Sequence, residues 1–180
     1  MDGLADLMIA DDPYDALRDL MRCYSQDVWN FAFFITRNRE AADDISQEVF
    51  LKAYEHWRGF ERRSSPKTWL LAMARNLSRN WLKSHSVRKV VLMEQISPRS
   101  MVSSAETEYL DQLQTQSIWH HVLQLPPKYR EVLLLDAHYG MGYSDIAELL
   151  GIAQGTVKSR IHRARKRMEK AMKGGLHDEQ

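Results

Sequence analysis

The stretch from Tyr143 to Lys173, YSDIAELLGIAQGTVKSRIHRARKRMEKAMK, constrains this chain most, because apolar and basic residues recur in it on opposite sides of a helix. With Val157 at zero and about 100° per residue, Ile161, Ala164 and Met168 fall in one narrow apolar arc, and Lys158, Ser159, His162, Arg163 and Lys166 fall opposite. A shorter helix holding Ile146, Ala147, Leu149 and Leu150 precedes it. Ser144 is the expected N-cap of that helix, and Gly151 the left-handed residue that ends it. The second helix is expected to begin near Gly155. From Thr156 to Lys173 there are eight Lys or Arg against one Glu. A charge run alone is more often a solvated face. Small Ala147, turning Gly151 and apolar Val157 stand at helix-turn-helix spacing, and that favours a basic helix lying in a DNA major groove.

The formal net charge is only +1, which argues against a polyanion partner until the chain is divided. Residues 1–55 carry −7, 56–100 carry +8, 101–155 carry −5 and 156–180 carry +5. Two basic zones, each following an acidic one, point to two contacts with a polyanion and to other surfaces with a different purpose. One cysteine, Cys23, excludes an internal disulfide and a multi-cysteine zinc site. The first residues, MDGLADLMIADD, are acidic where a signal peptide is basic, and the run Phe31 to Ile35 is too short to span a bilayer. The default compartment is the cytoplasm.

Asp12 followed by Pro13 is a helix start. From Tyr14 to Thr36, Leu17, Leu20, Met21, Tyr24, Val28, Phe31, Ala32 and Ile35 recur at helical spacing, which predicts a long core helix closed by Arg37 and Asn38. Between Glu40 and Trp57 a second helix turns Ile45, Val49, Phe50, Ala53 and Trp57 one way and Asp44, Gln47, Glu48, Leu51 and Glu55 the other. Leu51 among acidic and amide groups fits a solvated face and a docking surface equally. The following HWRGFERRSSPKTW interleaves Trp57, Phe60 and Trp69 with Arg58, Arg62 and Arg63, the ingredients for holding unstacked bases. Ser65 and Pro66 then start a helix to about Lys83. Its expected inner side is Trp69, Leu70, Met73, Leu77 and Trp81. Arg75, Ser78 and Arg79 are expected outward, Asn76 and Lys83 at the flank, and Asn80 nearer the inner arc.

Periodicity is lost from Ser84 to about Gln112, where a linker is expected with one helical turn near Val90 to Met93. Roughly 29 residues of extended chain reach about 95 Å. Helical spacing resumes with Leu113, Ile118, Trp119, Val122 and Leu125, breaks at Pro126 and Pro127, and continues to Tyr139. Adjacent His120 and His121 point about 100° apart, a poor arrangement for one metal.

Three segments, DDISQEVFLKAY, FERRSSPKTWLLAMARNLSRNWLK and LPPKYREVLLLDAHYGMGYSDIAELLGIAQGTVKSRIHRARKRM, together resemble the extracytoplasmic-function (ECF) sigma factors, group IV of the sigma-70 family of bacterial RNA polymerase sigma factors. The resemblance covers about Tyr14 to Lys83 and Leu113 to Met172. It implies an all-α chain of two small helical domains joined by a flexible linker, the C-terminal one containing the helix-turn-helix. The divisions are a leader over 1–12, sigma domain 2 over 13–84, a linker over 85–112, sigma domain 4 over 113–173 and a tail over 174–180.

The same resemblance resolves the second helix. Asp44, Gln47, Glu48, Leu51, Lys52 and Glu55 would dock on the β′ clamp of core RNA polymerase, with the β flap as a further partner of the chain. Trp57, Arg58, Phe60, Arg62, Arg63 and Ser64 would capture a flipped base at the −10 element, with Arg75, Asn76, Arg79, Asn80 and Lys83 alongside. Ser144, Thr156, Lys158, Ser159, His162, Arg163 and Lys166 would meet the −35 duplex. Pro66 stands where a bulky apolar residue is frequent in the family, and Asn80 where Asp is. An anti-sigma factor is an implied partner. No cofactor, metal or catalytic residue is implied, and no Gly-rich phosphate loop or nucleophile–base pair is present. The alternative is a stand-alone helix-turn-helix regulator with an N-terminal sensing domain, which would need a dimer seam that the sequence lacks.

Overall fold

A computed structural model of the protein describes residues 12–61, 63–93 and 117–175. Residues 1–11 of the expected leader, Arg62, residues 94–116 and residues 176–180 of the expected tail lie outside these residues. Every regular element among the described residues is helical, and the chain divides into two units, Met1–Ile96 and Ser97–Gln180.

The first unit packs three helices against one another: α1 (Pro13–Thr36), α2 (Arg39–His56) and α3 (Pro66–Met93), with a short 3₁₀ turn at Trp57–Gly59 after α2. The Asp12 carboxylate accepts from the amides of Tyr14 and Asp15, and Pro13 occupies the first turn, where its missing N–H costs nothing. α1 ends at Arg37, which takes the left-handed conformation (φ 57°) that normally falls to glycine. Asn38 immediately caps α2 by accepting from the Ala41 amide at 2.7 Å. Between the helices lie Leu20, Val28, Phe31, Phe33, Val49 and Leu70, all at most 2% exposed. Each such side chain contributes about 1.5–3 kcal/mol by leaving water. Polar ties fix the pairing: Trp29 Nε1 donates to Asp43 at 2.6 Å across α1 and α2, and Lys67 pairs with Asp27 at 2.9 Å across α3 and α1.

Three expectations need correcting here. Leu17 and Tyr24 are only half-buried and Met21 is exposed, because Ala16 and Leu20 form the core line of α1 and Met21 lies on its flank. α3 is rotated from the expected arc: Leu70, Leu71, Ala74 and Ser78 are its innermost residues, while Trp69, Met73, Leu77 and Trp81 are half-buried. Small Ala74 and Ser78 suit close helix contact, and the Ser78 hydroxyl is satisfied by the Ala74 carbonyl at 2.7 Å. α3 also runs on to Met93, so the helical turn expected at Val90 to Met93 is its continuation.

The second unit comprises α4 (Ser117–Gln124), α5 (Pro127–Leu133), a π-helical turn at Leu134–His138, α6 (Tyr143–Leu150) and α7 (Gln154–Gly175). Pro126 and Pro127 separate α4 from α5, as Pro at a helix start allows. Arg130 is 3% exposed and its Nη1 donates to the Leu123 carbonyl at 2.6 Å, which satisfies a carbonyl at the α4 terminus. α7 is the hub: Val157, Ile161 and Ala164 are at most 2% exposed where it meets α4, α5 and α6. Gly151, with φ 63°, makes the expected left-handed turn. Ser144 is not the cap of α6, since the helix starts two residues earlier than that cap would give, with Gly142 at the cap position and no side-chain bond.

Arg37→Gly tests the strain at the first of these turns. Relief of about 1–2 kcal/mol of left-handed strain, set against about 0.4–1 kcal/mol of added freedom in the unfolded chain, predicts a net stabilisation of about 0.5–1 kcal/mol. Urea unfolding of the variant would read it, and a destabilised variant would contradict it.

Candidate functional site

The two basic zones and the acidic face occupy distinct helix surfaces. On α2, Ile45, Val49, Phe50 and Ala53 are buried, as is Trp57 just beyond its end, and Asp44, Gln47, Glu48 and Glu55 are exposed. Leu51 stands among them at 62% exposure. It borders an open groove of about 520 Å³ between α1 and α2, with Leu17, Met21, Trp29 and Phe50 on its walls. The apolar surface is therefore wider than Leu51, and α1 contributes part of it. Leu17 and Met21 gave no such signal in the sequence, where helical spacing placed them in the core. Lys52 pairs with Glu48 at 3.5 Å and, with Glu55, His56, Trp69 and Met73, borders a different hollow under the aromatic loop.

In that loop the rings meet one another. Phe60 stacks on Trp57 with centroids 5.4 Å apart and on Trp69 at 4.7 Å. Trp57 is only 7% exposed, so it supports the loop from within and offers no open face as a base platform. Phe60 is half-buried, while Arg58, Arg63 and Ser64 are exposed; Arg63 Nε pairs with Glu61 at 2.5 Å.

Along α3 the outward stripe is Asn76, Arg79, Asn80 and Lys83, all exposed and spaced three and four apart. Asn80, expected nearer the core, belongs to this stripe. Arg75, expected outward, is only 8% exposed and faces inward beside Ser78, a consequence of the helix rotation. The structure thus brings four of the five α3 residues to one surface and removes Arg75 from it. Ser65 caps the helix, its hydroxyl accepting from the Thr68 amide at 3.1 Å.

On α7, Lys158, Ser159, His162, Arg163 and Lys166 are exposed opposite buried Val157, Ile161 and Ala164, and Met168 is half-buried. Thr156 is half-buried near the helix start, and Ser144 on α6 is exposed. Two ties orient this surface. Arg165 donates to Asp136 at 2.6 Å, joining α7 to the π-helical turn. The Arg163 side chain at the Tyr129 hydroxyl lowers its pKa, against the opposing effect of burial and with help from the nearby charges of Lys128 and Arg167. Asp136 and Tyr129 were not picked out by sequence reasoning, because contact with a helix some thirty residues on leaves no local periodicity.

Among the described residues no cluster of three or more His, Cys, Asp or Glu could hold a metal, and no helix is long and apolar enough to cross a membrane. His120 bonds Gln124 at 2.7 Å.

Comparison with known proteins identifies the family. Residues 20–88 match the model described as Sigma-70 region 2, and residues 115–168 that described as Sigma-70, region 4. The ECF RNA polymerase sigma factor SigC of Mycobacterium tuberculosis (strain CDC 1551 / Oshkosh) is 31% identical over 152 residues, 83% of this chain and 80% of that protein. RNA polymerase sigma factor YlaC of Bacillus subtilis (strain 168) is 28% identical over 167 residues, 92% and 96% of the two chains. Among solved structures, the sigma factor RpoE in complex with the anti-sigma factor NepR from Bartonella quintana matches with a TM-score of 0.70 and 25% identity, covering 87% of this chain and 96% of that one. The chain belongs to the ECF RNA polymerase sigma factors, the subunits that bind core polymerase and direct it to promoters for transcription initiation. These relatives lend nothing to the reading as a stand-alone regulator.

The Tyr129–Arg163 tie is open to spectrophotometric titration. Tyr129 should ionise at lower pH than an ordinary tyrosine and Tyr24 at higher pH, the latter because burial disfavours its phenolate. Arg163→Ala should return the Tyr129 transition upward. An unchanged transition would remove the tie from the account.

Proposed function

We propose that this sigma factor divides its work among three separate surfaces and performs no catalysis of its own. The exposed strip of Asp44, Gln47, Glu48 and Leu51 on α2 docks on the β′ clamp of core polymerase. The observation that carries this is Leu51, an apolar side chain 62% exposed at the centre of a polar strip, on a helix whose other face is fully packed. A docking surface needs this apolar centre within a polar rim. Lys52 and Glu55 belong to its edge.

The loop around Phe60, with Arg58, Arg62, Arg63 and Ser64, receives an unstacked base of the −10 element, and Trp57 holds the loop in place. The stripe of Asn76, Arg79, Asn80 and Lys83 lies along the same strand, and Arg75 steadies it from inside. Unstacking costs a few kcal/mol per step, offset by ring stacking and phosphate contacts. Lys158, Ser159, His162, Arg163 and Lys166 face the −35 duplex, with Thr156 and Ser144 toward its backbone. Residues 13–84 and 113–173 then act as two DNA anchors, the second also meeting the β flap. The connection over 85–112 begins as a continuation of α3. The activity takes place in the cytoplasm.

An anti-sigma factor is the proposed regulator. The supporting observation is the fold match to a sigma factor solved with its anti-sigma factor NepR.

Run-off transcription from a promoter library, with core polymerase alone and with this protein added, tests the whole reading. Transcripts should appear from a restricted promoter set only when the protein is present. Tight binding of the isolated protein to duplex DNA, with no transcription gained, would contradict it. Leu51→Asp should abolish binding to core polymerase while the far-UV circular dichroism stays that of a helical protein. Retained binding would remove α2 as the docking surface.

A further inference from the structure

The outer side of α7 does not end where its base-facing residues end. Arg163, Lys166, Arg167, Lys170 and Lys173 fall within an arc of about 120° at about 100° per residue, so they share one side of the helix. With Tyr129 of α5 as a floor they border an open hollow of about 980 Å³. One carboxylate, Glu169, reaches it, and that group is already engaged by Lys173 at 2.5 Å. Lys166, Arg167 and Lys170 have no carboxylate in ion-pair reach among the described residues.

Cations so closely spaced repel one another, and their fixed placement has a structural cause. The Arg167 guanidinium lies 5.2 Å from the centroid of the Tyr129 ring and Lys128 Nζ lies 5.1 Å from it, as cation–π contacts. Arg163 lines the hollow beside the same tyrosine and lowers the pKa of its hydroxyl. Tyr129 therefore fixes Arg167 at the hollow through its ring before any ligand arrives, while Lys128 meets the same ring outside the lining.

We propose that this hollow is a seat for the phosphate backbone, taking the sugar-phosphate strand that walls the groove entered by α7. The inference rests on the reading of α7 as the −35 helix. At about 1.5 Å per residue, Lys170 lies about 16 Å along the axis from Ser159. The major groove is about 12 Å wide. A helix whose first turns touch base edges thus brings Arg167 and Lys170 level with the flanking strand. Continuity selects DNA over an acidic peptide, since Arg163 and Lys166 belong both to the base-facing side and to the hollow.

The test uses holoenzyme assembled from core polymerase and the full chain, with promoter binding measured over a range of KCl. Arg167→Gln with Lys170→Gln should lower the slope of log affinity against log salt by about 0.9 for each phosphate that is no longer neutralised. The ranking of −35 sequences and the affinity for core polymerase should stay as in the unaltered chain. Methylphosphonate linkages at the facing positions should lower the slope for the unaltered holoenzyme, which tests the same pairing without altering the protein. An unchanged slope in both experiments overturns the proposal. A changed −35 ranking assigns the residues to base readout, and an equal loss of core binding assigns them to a protein surface; either result also overturns it. Failure of the unaltered holoenzyme to prefer any −35 sequence would instead remove the reading of α7 itself.

Discussion

Burial of a narrow apolar arc on α7 is the constraint on which the second unit depends. Val157, Ile161 and Ala164 are fully withdrawn from water where α7 meets the three helices before it. Ile161 and Ala164 are each followed or preceded within the same turn by a basic or polar residue, so turning that arc inward necessarily turns the charges outward. The helix has no other stable rotation, because the alternative would bury Lys and Arg without partners. Arg165 shows how a basic residue at the border of the arc is accommodated, by pairing with Asp136.

The first unit applies the same rule with the opposite charge. α2 buries one side against α1 and α3 and is left with carboxylates, an amide and Leu51 outside. α3 buries Leu70, Leu71 and Ala74 and is left with a basic and amide stripe. Acidic and basic surfaces therefore lie on different helices of one small unit, which suits a subunit that must hold a protein and a nucleic acid together. Helix packing fixes which side of each helix is free, and the chemistry of each free side follows from its residues.

Much of this was legible from spacing. The Asp12–Pro13 helix start, the two faces of α2, the break at Pro126 and Pro127, Gly151 and the face of α7 all follow from local rules. What escaped involves contact between distant segments or polar groups satisfied inside. The register of α3 is set by small residues: Ala74 and Ser78 sit at the helix interface, and large Trp69 and Trp81 stay at its margin. Arg75 and Arg130 are buried against the ordinary preference of arginine, and only the fold reveals the carbonyl that Arg130 satisfies. Ser144 has the right chemistry for a cap, but the chain enters the helix two residues earlier, at Gly142. Met21 matched helical spacing yet lies beyond the core line and borders the groove beside Leu51.

The central claim is that a DNA-opening surface around Phe60 and a duplex anchor on α7 act together through one polymerase. Permanganate reactivity of nontemplate thymines measures it most directly, on a promoter bound by holoenzyme assembled with this protein. The account predicts that thymines within the −10 element become reactive while the −35 duplex stays protected and unreactive. A −10 element that remains unreactive in a transcriptionally competent complex would contradict it.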